Sequence, residues 1–420
     1  MKCKKTILKN GLRILTIPMK DNPTAMVLIL VGTGTEFETK KTNGLSHFLE
    51  HMCFKGTTRR PSAKIISSEI DGLGAENNAF TDREMTGYYA KGEARHFPKL
   101  FDIVADVFLN STFPESDIEK EKGVIKGEID MYRDLPRSVA FKKFLALLYG
   151  DTAGGWPTLG TKESVASFTR AHFINHHKEY YFPKNTVVVV AGSVNPRAVV
   201  NLTKKYFGHL PQGRTFKKEK FEKKQIKPAW FATAKKTDQT HLILGVRSFG
   251  LFDKREPAAN VLAAVLGQGM SSRLFLKLRD EMGAGYYVRA ANYTLTDRGF
   301  LTVETGVHNE KVAAVTTAIL EEFRRLKREP VPENELKKSK TFLIGHLKLG
   351  LEKSDEVAEF FGTQEVLRKP IETPAEIIKK INQVTASDIQ KLAKIIFTNE
   401  RLNLSLVAKA KPNLAKLLRI

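Results

Sequence analysis

Cysteine is nearly absent: Cys3 and Cys53 are the only two in 420 residues, which excludes a disulfide framework and points to a reducing cytosol. No apolar run approaches the roughly 20 residues needed to span a bilayer. The basic N-terminal stretch MKCKKTILKNGLRILTIPM breaks its apolar run at Lys9, Asn10 and Gly11. It lacks the continuous segment of a signal peptide, so a cytoplasmic protein is expected. Acidic residues are in deficit, 46 against 68 lysines and arginines, for a formal charge of +22. Such an excess raises nucleic acid, an anionic surface or acidic peptides as partners. No RNA- or DNA-reading motif accompanies it, and runs such as KKEKFEKK at 217–224 suit solvated faces and linkers. Neither nucleic acid nor a membrane is expected as a partner.

What is present is a 42% apolar, 27% charged chain, a globular composition too long for one hydrophobic core. Apolar patterning stops after KKYFGHLPQG (204–213) and a charged segment follows, which places a linker at 213–228. The second half echoes the first. TAMVLILVGTG from Thr24 and THLILGVRSFG from Thr240 both read as strands ending at glycine, and AENNAFTDREMTGYYAKG and GYYVRAANYTLTDRGFLTVETGV both read as strand, polar turn, strand. Helical segments such as SAKIISSEIDGLG and SSRLFLKLRDEMG lie between them. The expected fold is α+β: two homologous α/β-sandwich halves, 1–212 and 229–420, each a mostly antiparallel sheet with helices packed on one side.

The stretch NGLSHFLEHMCFKGTT carries His47, Glu50 and His51 within five residues. On a helix the two imidazoles project side by side and Glu50 falls on the same side. That spacing suits one Zn²⁺ ligated by both histidines, with the glutamate near its open position. A second pair four apart, His172 and His176, lacks an intervening carboxylate and precedes aromatic residues, so packing and hydrogen bonding are expected there. Cys53 lies well round the helix from His47 and reads as a small buried residue. A catalytic zinc usually takes a third protein ligand. In ESDIEKEKGVIKGEIDMYRDLP, Glu121 and Glu128 are seven apart and share a helix face; by spacing, either reaches the metal.

With these residues the chain resembles the pitrilysin or insulinase family, zinc peptidases with an inverted His-x-x-Glu-His motif, and within it the short-chain branch of mitochondrial and bacterial processing peptidases. The resemblance implies a zinc endopeptidase binding one Zn²⁺ per chain. In the family a glutamate 77 positions after the second histidine completes the metal set, and here that position is Glu128. Glu121 then matches a carboxylate that orients the ligands, and Glu50 the general base. GAENNAFTDRE is similar to the family's Asn-Ala-x-Thr segment, a sheet edge beside the active site, with Asn78 and Ala79 at its first two positions. GQGMSSRLFLKLRDEMGAGYYV is similar to a second-half signature beginning Gly-Gly-Gly, with Gln268 in place of the middle glycine. Its substrate-binding arginine and tyrosine fall on Arg279 and Tyr286. NVLAAVLGQGMSSRLF contains no histidine, so the second half is expected to bind no metal. The family pairs two short chains around a chamber. The implied partners are peptide substrates and a second copy of the chain, or a related chain in a heterodimer. Two other classes compete: a catalytically silent structural subunit, disfavoured because ligands and base are all present, and a basic nucleic-acid-binding protein.

Overall fold

Residues 25–31 are apolar at every position, and a strand of that kind has to be covered on both faces. The computed structural model describes residues 2–214, 216–221, 224–412 and 414–420 and shows how this is achieved. Positions 215, 222 and 223 of the expected linker lie outside the described residues. One sheet contains β1 (Lys4–Ile7), β2 (Arg13–Pro18), β3 (Thr24–Val31), β4 (Glu76–Thr81), β5 (Thr86–Glu93) and β6 (Thr186–Gly192), in the order β1-β2-β6-β3-β5-β4. The β2–β6 pair is parallel and the other pairs are antiparallel. Ala25, Val27, Ile29 and Val31 join a core with the helices Leu45–Cys53, Phe97–Asn110 and Pro196–Phe207. Met26, Leu28 and Leu30 face the other way, onto Val357, Ala358 and Phe361 of the helix Ser354–Val366. A Cβ at Gly362 would come within 2.6 Å of Leu30 Cδ1, so this glycine sets how closely that helix lies on the sheet.

The second sheet holds β7 (Ala229–Ala234), β8 (Gln239–Ser248), β9 (Gly285–Thr294), β10 (Gly299–His308) and β11 (Leu402–Ala408), in the order β7-β11-β8-β10-β9, with β7 and β11 parallel. With β1 set aside, both sheets run first, last, second, fourth, third in chain order. The repeated strand signals therefore belong to a duplicated α+β unit. Leu242, Leu244 and Val246 pack on the helices Glu256–Gly267, Val312–Arg328 and Ala386–Ile396. Ile243 and Val407 meet Ala140, Phe144, Leu145 and Leu148 of the helix Pro136–Tyr149 on the opposite face.

The compact units are not contiguous in sequence. One comprises the chain up to Asp130, Pro157–Glu219 and Lys348–Pro374; the other comprises Met131–Trp156, Lys220–Leu347 and the chain from Ala375 onward. Most helices of each unit gather on one face of its sheet. Among the described residues, the opposite face takes one helix from the other half of the sequence. Each fully buried Val, Leu or Phe contributes about 1.5–3 kcal/mol. Either exchanged helix thus supplies a large share of a domain's usual stability of about 5–15 kcal/mol.

Candidate metal centre

The helix Leu45–Cys53 starts from Gly44, whose φ is +95° and which provides no side-chain cap. A Cβ at Gly44 would sit 2.6 Å from the Leu159 carbonyl oxygen, so only glycine fits this approach. Glu38 supplies the cap instead. Its Oε2 accepts from the Gly44 N–H at 2.8 Å and its Oε1 from the Ser46 N–H at 2.7 Å, satisfying two free donors of the helix end. Burial pushes the Glu38 carboxyl up to about 7, while these donors pull it down. Leu45, Phe48, Leu49, Met52 and Cys53 are buried, with Phe48 against Phe168 and Phe173. This apolar face fixes the helix rotation and leaves His47, Glu50 and His51 together on another side.

The partner element is the helix Glu115–Asp134, anchored by buried Ile118 and Ile125. It presents both glutamates to His51, in different ways. Glu121 Oε1 lies 2.9 Å from His51 Nδ1, and its Oε2 lies 2.7 Å from Lys55 Nζ. Burial works to raise the Glu121 carboxyl, but the hydrogen bonds from His51 and Lys55 outweigh it and hold the group below its ordinary value. As a carboxylate it can only accept, so His51 Nδ1 donates to it; burial works to lower His51, but this bond and the carboxylates of Glu50, Glu121 and Glu128 outweigh it and raise the imidazole above its ordinary value, so Nε2 becomes a ligand atom once its proton leaves. Glu128 Oε2 lies 3.7 Å from His47 Nε2 and 3.9 Å from His51 Nε2.

His47, His51 and Glu128 offer ligand atoms within 4.8 Å of one another, the one such group among the described residues. The gaps to Glu128 are too long for hydrogen bonds. They are close to the roughly 3.3–3.6 Å between ligand atoms bound about 2.0–2.2 Å from a tetrahedral ion. Burial, reinforced by His51, lowers His47 to about 3, so its imidazole is neutral as a ligand must be. His47 Nδ1 is buried with no hydrogen-bond partner among the described residues; the Glu121 carboxylate bonds to His51. Two imidazoles and one carboxylate, with a fourth position left over, fit a catalytic zinc set.

Glu50 stands beside this group. Burial raises its carboxyl, and the hydrogen bond from Thr81 partly opposes the shift; Thr81 Oγ1 donates to Glu50 Oε2 at 2.6 Å. Thr81 closes β4, the sheet edge that carries Asn78 and Ala79. Asn78 is exposed, and its Oδ1 accepts from the Ala79 N–H at 2.9 Å. Sequence reasoning assigned no role to Thr81 or Lys55. Thr81 is the threonine of NAFT, and Lys55 follows His51 by four residues, so both signals were available.

The remaining candidates belong to other elements or make other contacts. Arg279 is exposed on the π-helical turn Leu276–Glu281, its guanidinium 5.2 Å from the Phe275 ring centroid. Tyr286 is exposed at the start of the edge strand β9, with its ring 5.0 Å from that of His308. Cys53 is buried and its Sγ donates to Tyr88 Oη at 3.5 Å. His172 Nδ1 accepts from the Thr169 N–H at 3.1 Å, capping its helix, and His176 is buried with its ring 4.7 Å from that of Tyr180. Replacing both by glutamine is expected to lower thermal stability through His176 and leave the bound metal count unchanged. Elemental analysis of the purified variant checks this, and loss of one equivalent would move the site to that helix.

The profile of the insulinase family, peptidase family M16, matches residues 13–162, and that of the peptidase M16 inactive domain matches residues 167–343. An uncharacterized zinc protease of Bacillus subtilis is 34% identical over 395 residues, covering 93% of this chain and 95% of that protein. One from Rickettsia felis is 34% identical over 398 residues, covering 93% and 94%. The solved structure of a protease from Helicobacter pylori matches with a TM-score of 0.91 over 97% of this chain and 99% of that one, at 23% identity, a likeness of fold. With profile matches across strands of both sheets and one-third identity over nearly the whole length, the chain belongs to the insulinase family, peptidase family M16.

Proposed function

We propose that the chain is a zinc-dependent endopeptidase that hydrolyses peptides or unfolded precursor segments bound in extended form within a dimeric chamber. The observation that carries this reading is the convergence of His47, His51 and Glu128 beside a Glu50 carboxyl held by Thr81. Zn²⁺ bound there supplies a Lewis acid that polarises the scissile carbonyl and brings the pKa of a water towards neutrality. Glu50 takes the proton from the attacking water and passes it to the leaving amine nitrogen. Glu121 keeps the His51 ring in the tautomer whose Nε2 is a donor atom. Tyr286 donates its phenolic hydrogen to the oxygen on which charge develops, and Arg279 holds the substrate backbone. An extended peptide adds to the open edge of β4 at Asn78 and Ala79. Main-chain bonds then supply binding with little demand on sequence, and the +22 charge disfavours strongly basic substrates.

Length and flexibility, rather than sequence, then select the substrate. A mixed library of unstructured peptides should be cut at many sequences, with folded proteins left intact; mass spectrometry of the fragments reads the outcome. A library that survives intact with zinc bound would remove the peptidase reading.

In the chamber reading, Tyr286 of one subunit serves the metal set of the other. Glu50→Gln and Tyr286→Phe homodimers are each expected to be slow. Mixed dimers contain one site with both groups intact and one with both lesions. Random equal mixing makes half the dimers mixed, so recovery approaches about a quarter of the unmutated activity for a two-fold pair. Subunit exchange is verified by mass. Activity fixed at the parental average after full exchange would mean that each site is assembled within one chain.

A further inference from the structure

At the sheet edge opposite β4, Lys5 pairs across from Leu15, and Ile7 from Arg13. Leu15 belongs to the core beneath the helix Ser354–Val366, so Lys5, Ile7 and Arg13 share that face of the sheet. The chain leaves the helix through Leu367 and turns at Arg368, whose φ is +63°. Strand edge, Lys184 and this turn line a cavity of about 490 Å³, a size suited to a small molecule. Its charged lining is Lys5, Arg13, Lys184, Arg368 and Lys369 against the one carboxylate of Glu365.

That carboxylate is already engaged. Glu365 Oε1 lies 2.7 Å from Lys5 Nζ and 3.3 Å from Arg13 Nη1. Arg13 Nη1 also donates to the Glu365 carbonyl at 2.5 Å, which anchors the end of the exchanged helix. This anchoring uses one nitrogen of a side chain only 4% exposed, and Nε and Nη2 of Arg13 are buried with no hydrogen-bond partner among the described residues. Burial, with Arg368 adding to it, lowers Arg13 to about 10, the mark of a cation whose surroundings do not balance it. Lys369 is paired with Glu372 at 3.4 Å, which leaves the cavity strongly positive.

We infer that this cavity is a binding site for a small soluble molecule bearing a phosphate group. A phosphate monoester brings about −1.5 to −2 charge and three acceptor oxygens, which suits several cations lining one cavity better than a single carboxylate. Planar guanidinium donors match its oxygens. Ile7, Pro370 and Ile371 provide apolar surface for the rest of the molecule. Six strands spaced by about 4.8 Å put this edge about 24 Å from β4, so such a ligand does not compete with a peptide there.

Calorimetric titration of the full chain with inorganic pyrophosphate at low ionic strength tests the site. One saturable site per chain is expected, weakened at least tenfold by Lys5→Gln with Arg368→Gln. The exposed pair Lys379→Gln with Lys394→Gln removes equal charge elsewhere and should leave affinity within twofold. Lys184→Gln alone is a second probe should the double variant misfold, and it should also weaken binding severalfold. Equal losses in the lining and control variants would assign the binding to the diffuse field of a basic chain. Absence of saturable binding to the unmutated protein would reduce Arg13 to a helix anchor.

Discussion

Replacing Glu50 with glutamine is expected to lower kcat about 10²–10⁴-fold, the usual worth of a positioned general base, while one equivalent of zinc remains bound. The amide keeps the shape of the carboxyl and can still accept from Thr81 Oγ1, which lies 2.6 Å from Glu50 Oε2, but it cannot take a proton from water. The metal set is formed by other residues, so binding and chemistry separate in this variant. Turnover of a quenched fluorescent peptide, read beside elemental analysis of the same sample, gives both numbers. Full turnover would remove Glu50 from the proton transfer.

The two glutamates of the second helix should respond differently to the same substitution. Glu128→Gln removes the carboxylate facing both Nε2 atoms at 3.7 and 3.9 Å, and His51→Ala removes an imidazole; each should cost zinc affinity severely, leaving purified protein largely metal-free. Glu121→Gln alters only the partner of His51 Nδ1 at 2.9 Å. Outer partners of that kind are worth about 10–100-fold in affinity, so this variant should retain zinc when the metal is in excess. Competition with a chelator of known affinity ranks the three proteins. Equal affinities for Glu121→Gln and Glu128→Gln would erase the distinction between ligand and supporting carboxylate.

That distinction marks how far the sequence was legible. Helical periodicity puts His47, Glu50 and His51 on one side and Glu121 and Glu128 on one face, because these relations are local. Which glutamate meets an Nε2 lone pair depends on the packing of two helices, and spacing alone leaves it open; the family resemblance was needed to choose Glu128. Thr81 and Lys55 act through a single hydrogen bond and an ion pair across elements, so their place in the NAFT segment and four residues after His51 names them without saying what they meet. Glu38 caps the helix Leu45–Cys53 from six residues before Gly44, outside the usual capping positions.

The fold follows the same division. The continuous apolar run of β3 requires cover on both faces, yet nothing local says that Phe361, more than 300 residues away, provides it. The repeated strand signals correctly suggested duplication, while the exchange of helices between sequence halves is a long-range matter. In the second unit, the helix Glu256–Gly267 has buried apolar residues along most of its length.

The most direct test of the central claim is a zinc titration of chelator-stripped protein with peptide hydrolysis followed at each addition. The account predicts no activity in the stripped protein, a linear rise with added zinc, and saturation at one equivalent per chain. Glu50→Gln should take up the same equivalent without gaining activity. Hydrolysis that persists in metal-free protein, or that saturates without zinc bound at His47, His51 and Glu128, would contradict it.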